Sequence, residues 1–310
     1  MVALPGLRAA PDSIHAVARR FLTAAAAIDV IVPVFRGEAE TRACLQSVLA
    51  ARLRTPHEVV VIDDASPEPG ISSWLRTLAS EGRITLIAHA ANRGFVATAN
   101  EGMALHALRD VVLLNSDTEV ADGWLDRIAA HAATNDDAGT VTPFSNNATI
   151  CSYPQANVAN ALPAGETTAS LDRAFARANR GRAEEIPTAV GFCMYITRRC
   201  IERVGVFDEA RYGAGYGEEV DFCMRASRAG FRHLVAADVF VLHVGEVSFG
   251  GSGLERRAKA QATVDALYPE FQPRVRDFIA RDPLAQLRRR ATLARGPMGP
   301  LRTLLGRLRT

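Results

Sequence analysis

At 310 residues, with 48% hydrophobic and 6% aromatic content and a formal net charge of +2, the chain has the composition of an ordinary enzyme with room for a sizeable core. It offers no run of roughly 18 apolar residues that would span a membrane, and its five scattered cysteines, without a C-x-x-C pair, argue for reduced buried thiols and against a zinc site. Residues 281–310 hold eight Arg and one Asp (+7), leaving −5 for the rest, which is not the charge of a nucleic-acid-binding body.

Residues 1–27 lack the charged start and apolar block of a secretory leader and are expected to be an N-terminal helical extension of a cytoplasmic protein. From Ile28, short apolar runs alternate with helical stretches: "IDVIVPV" before a helix over 38–51, "HEVVVIDD" before 71–80, "RITLIAH" before 96–107, "DVVLLNSD" before 123–134, and then "AGTVTP". Five strands separated by helices predict an α/β fold, a mostly parallel central sheet with helices on both faces. Ligands in such sheets bind beyond the carboxyl ends of the strands. Asp63, Asp64 and Asp117 all fall there.

Past Pro143 the alternation stops, and the Asn-, Ser- and Thr-rich stretch 144–170 reads as a long surface loop bordering the active site. Order returns as a helix over 171–179, a strand "TAVGFCMYITRR", a helix over 219–229 and a strand pair "FRHLVAADVFVLHVG". Residues 254–281 read as helical, and a basic, Leu-bearing extension follows from Gln286. No G-x-G-x-x-G follows the first strand, and "GSG" at 251–253 lacks the Lys of a P-loop, so dinucleotide oxidoreductases and P-loop kinases are disfavoured.

The acids allow two readings each. Asp63 and Asp64 in "VIDDAS" either close an Asx-turn or accept hydrogen bonds from a ligand. Asp117 in "NSD" either caps a helix or holds a cation, and Asp122 just before "GW" is the better placed cap. Glu218, Glu219 and Asp221 in "GYGEEVDFCMRA" either gain about 0.3–1 kcal/mol each from a helix dipole or include a general base. His243 in "VLHVGEVSF" is a structural histidine or a ligand. Asn92 and Gly94 in "ANRGF" make a tight turn or bring backbone close to a ligand. The Arg- and Leu-bearing tail, 288–308, is a solvated end or lies on an anionic membrane surface.

Taken in order, "VIVPVFRG", "VVVIDDAS", "ANRGFVATANEG", "VLLNSDTEV", "GFCMYITRR", "GYGEEVDFCMRA" and "VFVLHVGEVSFGG" resemble an inverting family-2 glycosyltransferase of the GT-A fold, of the bacterial polysaccharide and rhamnosyltransferase-like type. The resemblance covers 28–253 and leaves 254–310 as a C-terminal helical basic extension. It implies transfer of a sugar from a nucleotide-diphosphate donor to a glycan or lipid-linked acceptor, in bacterial surface polysaccharide synthesis at the inner face of the membrane. Pro33, Val34, Asp63, Asp64, Asn92, Gly94, Asn115, Ser116 and Gly191 would then line the donor site. Asp117 and His243 would hold a divalent metal, Mn²⁺ or Mg²⁺. Glu219 would be the base, with Glu218 as its fallback and Asp221 bracing the site or touching acceptor. Two departures stand out: Asn115 replaces the first Asp of the family's D-x-D, and Glu219 replaces the commoner Asp. A sugar-nucleotide nucleotidyltransferase is the alternative enzyme, disfavoured because "VPVFRGEAE" is not its Gly- and Arg-rich loop. A catalytically inactive nucleotide- or glycan-binding scaffold is the non-enzymatic one.

Overall fold

The computed structural model describes residues 27–213, 215–245 and 253–295. Strands β1 (Ile28–Val34), β2 (His57–Asp63), β3 (Thr85–Ala88), β4 (Val111–Leu114), β6 (Ala138–Phe144), β7 (Ala183–Ile186), β8 (Cys193–Ile196) and β9 (Arg232–Phe240) form one sheet in the order β3-β2-β1-β4-β8-β6-β9-β7. β5 (Thr118–Glu119) and β10 (Leu242–His243) form a separate two-stranded ribbon. β1 to β4 run parallel, as do β6 and β9; β8 and the edge strand β7 run the other way. The mostly parallel sheet of the sequence expectation is therefore present.

β1, β2 and β4 carry the apolar runs 30–34, 59–62 and 111–114 because both of their faces are covered. Val30, Val32 and Val34 belong to one core half, with helix α1 (Glu38–Ala50), helix α2 (Pro69–Ser80) and helix α4 (Trp124–Ala133). Ile31, Val60, Ile62, Val111 and Leu113 belong to the other, with helix α3 (Phe95–Ala104) and helix α8 (Glu218–Arg228). Each fully buried aliphatic side chain contributes about 1.5–3 kcal/mol. α3 reaches β1 closely because Gly102 has no side chain: a Cβ there would lie 2.6 Å from Ile31 Cγ2. Gly102→Val is expected to destabilise the fold by about 1–3 kcal/mol through overpacking, a loss that a urea melt measures.

Several elements differ from the sequence expectation. The "AGTVTP" strand, β6, is not next to β4, because β8 inserts antiparallel between them. The expected strand over 188–199 shrinks to β8, since helix α6 (Arg198–Val204) starts right after Thr197. β7 went unforeseen: Glu184 and Glu185 are exposed on this edge, and a charged edge carries no apolar signal. The expected strand pair is not a hairpin, for β10 leaves the large sheet to join β5. Helix α9 (Gly253–Leu267) stops before Pro269 and helix α10 (Phe271–Arg281) begins afterwards, as a proline disfavours helix in the residue ahead of it.

The stretch 144–170 is a surface loop only in its second half. Ser145, Ala148, Cys151, Ser152 and Tyr153 are buried, and Tyr153 packs edge-on against Phe175 and Phe240. Its polar residues satisfy its own backbone; Ser152 Oγ, for example, accepts from Ala148 N at 2.8 Å. The short helices α5 (Thr168–Ala178) and α7 (Glu209–Tyr212) complete the body, and helix α11 (Ala285–Ala294) closes it. Arg288 is buried and donates to Ile150 O, and Arg295 pairs with Glu166 at 2.9 Å. The described part of the basic extension is thus docked on the body. The N-terminal extension up to residue 26 and the tail beyond residue 295 lie outside the described residues. Among the described residues no helix is long and apolar enough to cross a membrane.

Candidate active site

The chain passes from β1 to β2 on one side and later returns to β4 on the other, so the strand order reverses between β1 and β4. The crevice beyond the carboxyl ends at such a switch point is where open α/β sheets bind ligands. Pro33 and Val34 end β1 there, and Asn115, Ser116 and Asp117 follow directly on β4. Asn115 N donates to Phe192 O at 2.8 Å, which brings Gly191 and the start of β8 to the same edge.

Asp117 is not a helix cap. Its Oδ2 accepts from Gly245 N at 2.9 Å, and its carbonyl accepts from Val244 N at 3.0 Å. Nor is Asp122 one: the N-cap of α4 is Gly123 with no side-chain bond, while Asp122 accepts from Arg52 N at 2.9 Å. The β5–β10 ribbon places His243 opposite Thr118. His243 Nδ1 donates to Asn147 O at 2.7 Å, which in the neutral ring leaves the lone pair on Nε2, 3.5 Å from Asp117 Oδ1. That separation is too long for a good hydrogen bond. It suits two ligands sharing one ion at about 2.0–2.2 Å each, and an imidazole oriented through its other nitrogen is the usual arrangement of a metal ligand. Asn146 fixes the rest of His243, its Oδ1 accepting from His243 N at 2.9 Å and its Nδ2 donating to His243 O at 3.0 Å. The Phe192 ring stacks on the imidazole at 5.1 Å. Asn146 and Asn147 escaped the sequence reading; their signal is an Asn pair just past the strand "AGTVTP".

Glu218, Glu219 and Asp221 occupy the first turn of α8, whose N-cap Gly217 offers no side-chain bond. Asp221 is turned inward: its Oδ2 accepts from Arg225 Nε at 2.8 Å and its Oδ1 from the Tyr268 hydroxyl at 2.7 Å. It braces α8 against the turn between α9 and α10. Glu218 is buried, and its Oε2 has no hydrogen-bond partner among the described residues. Burial pushes its carboxyl well above the usual carboxylate range, and the neighbouring charge of Glu219 adds to this. Glu219 is half-buried and is raised by the same loss of solvation. A Cβ on Gly191 would lie 3.9 Å from Glu219 Cγ, so the open floor of the crevice is next to this carboxylate. Since Glu218 binds its proton more tightly folded than unfolded, its contribution to stability is present in acid and lost as pH rises through the raised pKa. Glu218→Gln cannot ionise. It is expected to melt roughly 2 °C or more above the parent at neutral pH, with the gap closing in acid, as scanning calorimetry at two pH values measures.

At the end of β2 the two aspartates serve the protein itself. Asp63 is buried and accepts from Ser66 N at 2.9 Å and from the Ser72 hydroxyl, the Asx-turn alternative. Asp64 accepts from His89 Nδ1 at 2.7 Å, Arg93 N at 2.8 Å, Asn92 Nδ2 at 3.0 Å and Gly94 N at 2.8 Å. Four donors fill a carboxylate. Asp64 thereby braces the turn at 92–94, and Asn92 spends its amide in the same way. Gly94, at φ 86°, is required by the turn and by a close approach: a Cβ would lie 2.7 Å from Gly213 O. A second acidic group, Asp29, Glu58 and His106, sits near the opposite, amino ends of β1 and β2. Arg109 Nη1 is shared between its two carboxylates, at 2.8 Å from Asp29 and 2.6 Å from Glu58.

Residues 29–205 match the model of the family described as "Glycosyl transferase family 2". The chain is 27% identical over 226 residues to a hyaluronan synthase of Pasteurella multocida, covering 66% of this chain but only 23% of that protein. It is 25% identical over 227 residues to an uncharacterized protein of Mycobacterium bovis, covering 72% and 77%. Among solved structures it is similar to GalNAc-T7 with UDP, GalNAc and Mn²⁺ (TM-score 0.59, 16% identity), spanning 89% of this chain and 53% of that one. It is similar too to the mannosyltransferase PcManGT of Pyrobaculum calidifontis in complex with GDP-Man and Mn²⁺ (TM-score 0.52, 18% identity), spanning 90% and 73%. At these identities the likeness shows the fold, which is GT-A.

Proposed function

The chain belongs to glycosyl transferase family 2, and from that premise we propose that it is an inverting, metal-dependent enzyme transferring a sugar from a nucleoside-diphosphate donor to a glycan or lipid-linked acceptor. The observation that carries this is the pair Asp117 Oδ1 and His243 Nε2, 3.5 Å apart at the β1/β4 crevice, with the imidazole already in the tautomer a metal needs. One carboxylate and one imidazole suit Mn²⁺ better than Mg²⁺, which prefers oxygen. A bound divalent ion would neutralise the diphosphate as it departs.

The chain's own residues supply the rest. Pro33, Val34, Asn115 and Ser116 line the crevice for the nucleoside, beside the turn that Asp63 and Asp64 hold in shape. Gly191 leaves space for the sugar above β8. Glu219 takes the proton of the acceptor hydroxyl while that oxygen attacks the anomeric carbon, and the carbon–oxygen bond to the diphosphate breaks with its electron pair leaving on the nucleotide. Attack opposite the leaving group inverts the anomeric centre. Because burial raises Glu219, the acid limb of kcat is expected above the ordinary carboxylate range, with the rate rising as pH increases through it. The likeness to a hyaluronan synthase supports polysaccharide as the product class, and the three arginines of residues 296–310, a stretch without an acid, support a cytoplasmic protein lying against an anionic membrane face. The test is proton NMR of the product formed from UDP- and GDP-sugars with Mn²⁺. A product anomer opposite to that of the donor is expected, and a retained anomer contradicts inversion.

A further inference from the structure

His89 has no part in the chemistry above, yet it sits in a hydrogen-bonded cluster of ionisable side chains at the donor edge. It follows β3, and its backbone N–H donates to Asp63 O at 2.9 Å. Its buried ring lies between two carboxylates, with Nδ1 at 2.7 Å from Asp64 Oδ1 and Nε2 at 2.9 Å from Glu101 Oε2. An ionised carboxylate only accepts, so both contacts are hydrogen bonds when both ring nitrogens carry protons. Glu101, on α3, also takes Arg93 Nη1 at 2.5 Å, and the Arg93 backbone N–H returns to Asp64 at 2.8 Å.

The result is a closed hydrogen-bonded circuit, Asp64 to His89 to Glu101 to the Arg93 guanidinium and, through the Arg93 backbone N–H, back to Asp64. It joins the end of β2, the end of β3, the turn at 92–94 and α3. The other donors to Asp64, Asn92 Nδ2 and Gly94 N, lie in that same turn. We propose that His89 and Glu101 are positioning residues for donor binding: acting through Asp64, they hold the 92–94 turn in the shape that receives the nucleoside diphosphate. This rests on the glycosyltransferase reading above. Neither side chain is asked to touch the reacting atoms, so their loss acts on donor affinity and spares the chemical step.

The test uses the full chain with Mn²⁺, titrated calorimetrically with UDP and GDP, alongside donor KM and kcat. His89→Ala and Glu101→Ala are each expected to weaken the nucleotide that binds, and to raise donor KM, about tenfold, with kcat within about twofold. The double variant is expected to be no worse than either single one, because both break the same circuit. Should His89→Ala fail to fold, Glu101→Gln carries the test: the amide oxygen still accepts from His89 Nε2 while the charge is gone, and a loss of severalfold in affinity is expected. Unchanged affinity and KM in the single variants overturn the proposal, as do equal falls in kcat, or a double variant about a hundredfold weaker. A parent protein that binds no nucleotide overturns the functional reading first, and this proposal with it.

Discussion

Glu219→Gln is expected to lower the turnover of sugar transfer by about 10²–10⁴-fold while leaving nucleoside-diphosphate affinity within about twofold. The amide matches the carboxylate in size and cannot take a proton, so the substitution removes the base and little else. Glu219 is half-buried beside Gly191, and burial raises its carboxyl, which makes it a stronger base at the pH where it is ionised. Glu218 shares the first turn of α8 but is more deeply buried, with an oxygen that no donor among the described residues reaches. Its protonated form is therefore favoured, and Glu218→Gln is expected to retain a much larger share of turnover. Single-turnover rates for the two variants, measured beside nucleotide titrations, separate the roles. A Glu219→Gln enzyme with parental turnover would remove Glu219 from the mechanism.

The second large effect is expected at Asp117. Even residues that only orient a metal ligand cost about 10–100-fold in affinity when lost, so Asp117→Ala, which removes a proposed ligand, should cost at least that in metal-dependent nucleotide binding. Asp117 also accepts from Gly245 N, so the same substitution loosens the segment after His243. Asn146→Ala provides the contrast, because its side chain bonds the backbone of His243 and of Asn160 and the Ser145 hydroxyl, and not the imidazole. A smaller loss is expected there, with the Mn²⁺ dependence retained. Equal nucleotide affinity for Asp117→Ala and the parent across a Mn²⁺ titration would place the metal elsewhere.

How much of this was legible in the sequence depends on what each residue answers to. β1, β2 and β4 are plain to read because burial on both faces demands apolar runs, and the acids beyond them stand where such sheets bind ligands. Strand direction is less legible: nothing in "CMYI" says that β8 runs antiparallel between β4 and β6. β7 is hidden by its exposed glutamates. Asp117, His243 and Glu219 could be named from ordered motifs, but Asp64 could not be understood alone. Its partners His89, Asn92, Arg93 and Gly94 are 25 to 30 residues away, and only the pairing of β2 with β3 brings them to it. Asn146 and Asn147 were obscured likewise, because a polar stretch looks like loop until its side chains are seen holding buried backbone.

Calorimetric titration of the full chain with UDP, GDP and dTDP, each with and without Mn²⁺, tests most directly whether the β1/β4 crevice is a metal-dependent donor site. One nucleotide binding in the presence of Mn²⁺, with that affinity lost on chelation, is the predicted result. Absence of binding by all three, with or without the metal, would contradict it.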